Sequence, residues 1–353
     1  MTIAIHISAK DDIQGFFEQA FIYAAEEFSS DHFIFIFDTP LPANLVLPPN
    51  CTPVQTGPEI KNSLIRHYWY NYKIPSILNR YQADVLFTPR EVCSLNTAVP
   101  QVMLLSSVTQ RTGGYREQFR KKYAERVSSI GAFEKWIYAR AVKVYAKQKE
   151  KIKYIGHGIN TVAPLPESES ASDAPYFAVV LNKNNSADSI ALLKAFSIFK
   201  KWQRSSYKLV LVVSPSLENP VPHFSSYKYR DDVVLLREND QVRQSNILGG
   251  AFANIQLFHP SSAMQVELAA MHEGIPLVST CPEKDREHFF AHAALYATNT
   301  EAGISEQMMR LYKDEDLYRE YSAKAREFAK DFTWQKTAQT LYDMAMRAVA
   351  QTP

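Results

Sequence analysis

The chain reads as an α/β protein made of two doubly wound domains. Three observations lead there. Short apolar, β-prone runs alternate with segments of helical spacing along nearly the whole length, the pattern of parallel strands covered by helices. A Pro-, Ser- and acid-rich stretch, 163–175 (APLPESESASDAP), interrupts that alternation near the middle and reads as a linker. The length of 353 residues exceeds what one hydrophobic core usually organises. The expected division is a first domain over 1–162, the linker 163–175, a second domain over 176–335 and a terminal helix over 336–353.

Composition narrows the function classes. Lys and Arg number 39 against 37 Asp and Glu, a balance that gives the whole chain no pull toward nucleic acid. Three widely spaced cysteines, Cys51, Cys93 and Cys281, make neither a disulfide framework nor a zinc signature and read as buried thiols in a reducing compartment. The start MTIAIHISAKDD carries no basic segment followed by a long apolar one, and no run approaches the ~18 apolar residues of a membrane span. The reading is a cytoplasmic chain, with peripheral contact to the inner membrane face left open. Glycine, at 11 residues, falls well under the usual ~7%, so a phosphate cradle of clustered glycines is not expected.

In the first domain, residues 2–8 (TIAIHIS) and 33–37 (FIFIF) flank a helical run over 16–28, so the chain opens as βαβ. A helix over 64–81 leads into strands at 83–89 (ADVLFTP) and 99–105 (VPQVMLL). Residues 111–153 form a basic stretch, with 13 Lys or Arg against four Glu, interleaved with Tyr115, Phe119, Tyr123, Phe133, Trp136 and Tyr138. A basic helix with aromatic anchors suits an anionic membrane leaflet or a lipid-linked acceptor; it equally suits a solvated helical face. No nucleic-acid fold accompanies it, so no nucleic-acid partner is expected.

In the second domain, strands at 176–181 (YFAVVL) and 209–213 (LVLVV) enclose a helix over 190–202, and 233–236 begins another strand. The stretch 254–280 organises the rest. Ile255, Leu257 and Phe258 make a short strand closed by Pro260, and Ser261 and Ser262 are N-cap candidates. Ser262 and Gln265 have capping-box spacing, which predicts a helix starting there. Gly274 stands where a left-handed C-terminal residue is wanted, and Pro276 stops the helix before the next strand.

The segment PSSAMQVELAAMHEGIPLVS resembles the donor-site segment of GT-B glycosyltransferases of the family-4 type, keeping Pro260, Ser261, Ala270, Met271, Gly274, Pro276, Val278 and Ser279. YIGHGIN (154–160) is similar to the family's VIxHGVD, and FTWQKTA (332–338) to its FSWEKTA ending. The resemblance covers nearly the whole chain. It implies two Rossmann-like domains facing across a cleft, with the last helix crossing back to the first domain. It also implies a retaining, metal-independent transferase that needs no cofactor beyond a nucleotide-sugar donor, working on a glycan or lipid-linked acceptor in cell-envelope or polysaccharide synthesis.

Carried onto this sequence, the resemblance places diphosphate and donor contacts at Asn182, Lys183, Ser261 and Ser262, and the acceptor side at Gly15, Ser106 and Ser107. Several family positions are changed. Ser106 and Ser107 stand where many members carry a His-Asp pair, a serine close to Ser261 stands at the first family glutamate, and Ala269 at the second; Ala187 stands where the loop lysine is usual. Serine lacks the base strength of imidazole. Glu267 is the remaining catalytic candidate, while an exposed carboxylate near a helix N-terminus also explains it. Plain capping likewise explains Ser261 and Ser262. A GT-B protein that binds a sugar nucleotide, or partners an active transferase, without turnover is therefore the alternative.

Overall fold

The computed structural model describes residues 1–8, 16–42, 45–89, 91–105, 115–160, 162, 171–222, 224–260 and 264–351. The chain divides into two compact units, Met1–Gly158 with Thr333–Pro353, and Ile159–Phe332.

Unit 1 is built on a parallel seven-stranded sheet, comprising β1 (Thr2–Ile7), β2 (His32–Phe37), β3 (Cys51–Gln55), β4 (Val85–Pro89), β5 (Gln101–Leu105), β6 (Ser129–Ala132) and β7 (Ile152–Tyr154) in spatial order 3-2-1-4-5-6-7. β1, β2, β4 and β5 are buried almost throughout, as expected of strands covered on both faces. The edge strand β3 is half-exposed and carries Pro53, which an edge tolerates because it need not donate on its open side. Helix α1 (Phe16–Glu27) buries Phe17, Ala20, Phe21, Ala24 and Ala25 against one face of the sheet.

Between β3 and β4 lies one long helical segment with an irregular centre: α2 (Ser63–Tyr68), a π turn (Trp69–Lys73) and α3 (Ile74–Tyr81). Asn62 caps its start, its side chain accepting from Leu64 N and Ile65 N at 3.0 Å. The π turn directs Trp69, Tyr70 and Asn71 inward together. A regular α-helix would rotate one of three consecutive residues outward.

The basic stretch is two helices, α4 (Tyr115–Arg126) and α5 (Lys135–Val144), and not one. Strand β6 divides them because the intervening SIGA segment is short, β-paired on both sides and fully buried. Lys151 donates to the carbonyls of Ala124, Glu125 and Val127, closing the end of α4.

Helix α11 (Trp334–Ala350) belongs to unit 1 although it comes last in the chain. Trp334 stacks on Tyr23 at 5.2 Å and lies 5.3 Å from Phe16, and Tyr342 stacks on Phe28 at 3.7 Å. A Cβ on Gly158 would come within 2.1 Å of the Trp334 ring, so only glycine permits that approach.

Unit 2 repeats the plan with six parallel strands: β8 (Tyr176–Leu181), β9 (Lys208–Val213), β10 (Val233–Arg237), β11 (Ala253–Gln256), β12 (Leu277–Ser279) and β13 (Ala294–Tyr296), ordered 10-9-8-11-12-13. Helices α6 (Ser189–Gln203) and α9 (Glu301–Lys313) cover one face around Phe177, Phe196 and Phe199. Helices α7 (Gln241–Gly249) and α8 (Gln265–His272) cover the other through Ile247, Leu248, Val266 and Ala270, and α10 (Glu315–Ala329) follows. The sheet class, the doubly wound order and the return of the last helix all match the fold class expected of the sequence.

Candidate functional site

In a doubly wound sheet the chain leaves neighbouring central strands in opposite directions, opening a crevice beyond their carboxyl ends. In unit 2 this switch point lies between β8 and β11, which pair directly. The chain leaving β8 folds tightly there. The Asn182 carbonyl accepts from Asn185 N at 3.3 Å and Ser186 N at 3.0 Å, and its side-chain oxygen accepts from Asn184 N at 2.8 Å. Asn185 completes the fold of this loop. Its Oδ1 accepts from Asn182 N at 2.8 Å, while its Nδ2 donates to Val180 O at 2.9 Å and Leu257 O at 3.4 Å. Leu257 directly follows β11, so one buried carboxamide ties the loop to both strands flanking the crevice.

Of the expected donor-side residues, Asn182 is half-buried and partly committed to the turn, and Lys183 is exposed on the loop. Helix α8 follows β11 at the same edge. It starts at Gln265 with Met264 as N-cap and no side-chain cap bond. Gln241, at the start of α7, donates its Nε2 to Gln265 Oε1 at 3.1 Å. Ser261 and Ser262 lie outside the described residues, as do Gly15, Ser106 and Ser107.

Glu267 lies in the first turn of α8 and is half-buried. Ala269, at the family's second glutamate position, is buried to 1% exposure. The helix ends as expected: Gly274 has φ +84, the left-handed region that favours glycine, and Arg326 of α10 donates to the adjoining Glu273 carbonyl at 2.9 Å. Beside this, Ser279 donates to Gln256 Oε1 at 2.9 Å, and Thr280 Oγ1 accepts from Phe258 N at 2.9 Å, so the ends of β11 and β12 are also held by side chains.

The matching edge of unit 1 has a different lining. His6 Nδ1 and the Tyr70 hydroxyl are hydrogen bonded at 2.7 Å, and Trp69 stacks on the imidazole at 5.4 Å. Burial pushes His6 down to about 3 and Tyr70 well up, so both are neutral at physiological pH. Trp69 Nε1 donates to Pro58 O at 2.5 Å, and Asp38, just past β2, accepts from Ile60 N at 3.3 Å. Sequence reasoning missed His6, Tyr70 and Asn185. The His6–Tyr70 pairing spans 64 positions, which no local pattern reveals.

Farther along, His157 Nε2 lies 2.7 Å from Glu134 Oε1, both side chains nearly buried, placing the HG motif of 157–158 against the start of α5. The thiols are chemically quiet: burial pushes Cys51 up to about 11 and Cys93 and Cys281 to about 12, keeping them protonated. Among the described residues no three His, Cys, Asp or Glu side chains gather as a metal site.

With two doubly wound sheets in this order, the fold is of the GT-B type. Similar solved structures include a glycosyltransferase from Rickettsia africae, at 11% identity, a TM-score of 0.76 and 99% of both chains covered. Sucrose-phosphate synthase from Thermosynechococcus elongatus matches at 13% identity and a TM-score of 0.70, again over 99% of both. The UDP-GlcNAc 2-epimerase of Neisseria meningitidis bound to UDP-GlcNAc is also similar, at 8% identity and a TM-score of 0.64 over 98% of this chain and 100% of that one. By sequence, no protein-family model and no curated protein matches.

Proposed function

We propose that the protein is a glycosyltransferase that takes a sugar from a nucleotide-sugar donor and passes it, with retention and without a metal, to a glycan or lipid-linked acceptor in cell-envelope or polysaccharide synthesis. The observation that carries this reading is the Asn182–Asn185 loop, bonded across the β8–β11 switch point with α8 following at the same edge. Similarity to glycosyltransferases and to an epimerase bound to UDP-GlcNAc, over nearly the full chain, supports a nucleotide-sugar ligand.

In this reading the leaving diphosphate is met by Lys183 and by backbone N–H groups ahead of α8, with Ser261 and Ser262 contributing their hydroxyls. Lysine acts there as a point charge and not as a bidentate clamp. Asn182 shapes the loop and offers its remaining carboxamide hydrogens. Glu267 holds a hydroxyl of the ribose or the donor sugar. On the acceptor side, Gly15, Ser106 and Ser107 border the sugar acceptor; serine there positions a hydroxyl and supplies no base.

Calorimetry against UDP-, GDP- and ADP-linked sugars, followed by product analysis, tests the proposal. Binding of one donor in the ~1 μM to 1 mM range with transfer or slow hydrolysis is expected. Lys183→Ala should weaken that binding about tenfold, the worth of ~1.4 kcal/mol. Absence of binding to every donor overturns the reading, and epimerisation of UDP-GlcNAc would move the protein to another reaction class. Proton NMR of the product's anomeric centre tests retention.

One observation favours a second reading, binding without turnover. The second family glutamate is replaced by Ala269, whose side chain is buried at 1% exposure, so no carboxylate is available from that position. Tight donor binding with no product under any acceptor mixture would select it.

A further inference from the structure

Among the described residues, an exposed apolar helical surface lies on unit 1, on the segment whose other face fills the core. Trp69, Tyr70, Ile74, Ile77 and Leu78 point inward. Leu64 (81% exposed), Tyr68 (44%) and Tyr72 (61%) point outward, one above another. Leu64, Tyr68 and Tyr72 follow one another at four-residue spacing and so share one helix face, the Tyr68 and Tyr72 rings stacking at 5.8 Å. A helix apolar on both faces has a second apolar or interfacial neighbour in most proteins, because solvated helices keep one polar face.

The charge along this stripe is mainly positive. Residues 60–83 contain Lys61, Arg66, Lys73 and Arg80 and no Asp or Glu, and of these Lys61 is paired with the adjoining Glu59 at 3.5 Å. Leu95, itself 37% exposed, adjoins the π turn through its N–H to Asn71 Oδ1 at 3.3 Å. In the basic stretch 111–153, Phe133 is buried and Tyr123, Trp136 and Tyr138 pack on core clusters, while Phe119 is half-buried. Tyrosines beside leucines, ringed by cations, are the composition of a surface that rests at the headgroup level of an anionic bilayer.

We propose that the Leu64–Tyr68–Tyr72 face is a peripheral docking surface for an anionic membrane, with the aliphatic and aromatic side chains entering the headgroup boundary and Lys73 and Arg80 meeting acidic phospholipid headgroups. The attraction is part electrostatic and part apolar, so raised salt weakens it without abolishing it. The docking does not rest on the nucleotide-sugar reading, since it uses none of the residues at either sheet edge.

Vesicle co-sedimentation of the full chain tests it. Vesicles of phosphatidylcholine with about one-third phosphatidylglycerol should retain the protein, and pure phosphatidylcholine about tenfold less. The double variant Leu64→Ser with Tyr72→Ser replaces exposed side chains only, so its circular dichroism should match the parent while vesicle binding falls about tenfold. Trp202→Ser, which removes an aromatic 70% exposed on unit 2, should leave binding unchanged. Donor calorimetry should be the same for parent and double variant, which separates this surface from the proposed active site. Failure of the parent to bind anionic vesicles, or equal binding by the double variant, overturns the proposal. So does a parent dimer in sedimentation velocity that the double variant dissolves, which would assign the face to a second copy of the chain.

Discussion

The two units share one strand order but complete their folds by different means. Unit 2 is a continuous segment, Ile159–Phe332, whose switch point is held by a carboxamide only a few residues from the strand that it caps. Unit 1 is discontinuous and depends on α11, delivered from the far end of the chain onto α1. The rings of Trp334 and Tyr342 and the Asp31 carboxylate are its fastening points. Asp31 receives the Met1 ammonium at 2.5 Å and the Tyr342 hydroxyl at 2.7 Å. The same strand order is thus closed within one continuous segment in one unit and by a strap from the far end of the chain in the other, which predicts that each can be broken without breaking the other.

Removing residues 333–353 is the most severe test of that difference. It should strip protection from the unit 1 sheet in hydrogen exchange while the strands of unit 2 stay protected, because α11 buries Trp334, Leu341, Met344 and Ala345 only in the first core. Uniform loss of protection in both sheets would sink the idea of separate closure.

Trp334→Ala attacks the same strap at one residue. A cost of about 3–5 kcal/mol is expected from losing a large buried aromatic, read as a lower first transition in denaturant with the second unchanged. The counterpart in unit 2 is Asn185→Ala. It leaves the Val180 and Leu257 carbonyls short of a donor and should cost about 1–3 kcal/mol in the second transition alone, together with a loss of donor binding if the proposed site is correct.

The smallest effect is expected from Asp31→Asn, about 1 kcal/mol in the first transition. Burial raises the Asp31 carboxyl, but hydrogen bonds from the Met1 ammonium and Tyr342 outweigh it and leave it below the usual carboxylate value. A depressed folded pKa stabilises the fold above the unfolded value near 3.8 and loses that contribution as pH falls through and below it. Acid titration of the first transition should therefore be flatter in the variant than in the parent.

Legibility differed between elements for physical reasons. Strands β1, β2, β4 and β5 are buried on both faces, so their apolar runs announce themselves, and Gly274 and Pro276 end α8 where their backbone constraints require. β3, β6 and β13 escaped notice: CTPVQ is a half-exposed edge, while SIGA and ALY are too short for a period to show. The capping role expected of Ser262 lies outside the described residues, while Gln265 accepts a hydrogen bond from Gln241 of α7, 24 positions away. In the candidate site Lys183 and Asn182 are assigned by the family resemblance, whereas Asn185 acts through Leu257, 72 positions away, which no motif marks.

By itself the sequence determined the alternation of strands and helices, the doubly wound class and the family to which its motifs are similar, since all of these rest on local pattern and spacing. Only the tertiary structure decided what each side chain is used for. It placed a histidine against Tyr70 and Trp69 and gave Asn185 two strands to join. It left Tyr68 and Tyr72 of one helix exposed. Those outcomes depend on burial and on partners distant in the chain, and the free energy of a buried polar group is set by the partner it meets.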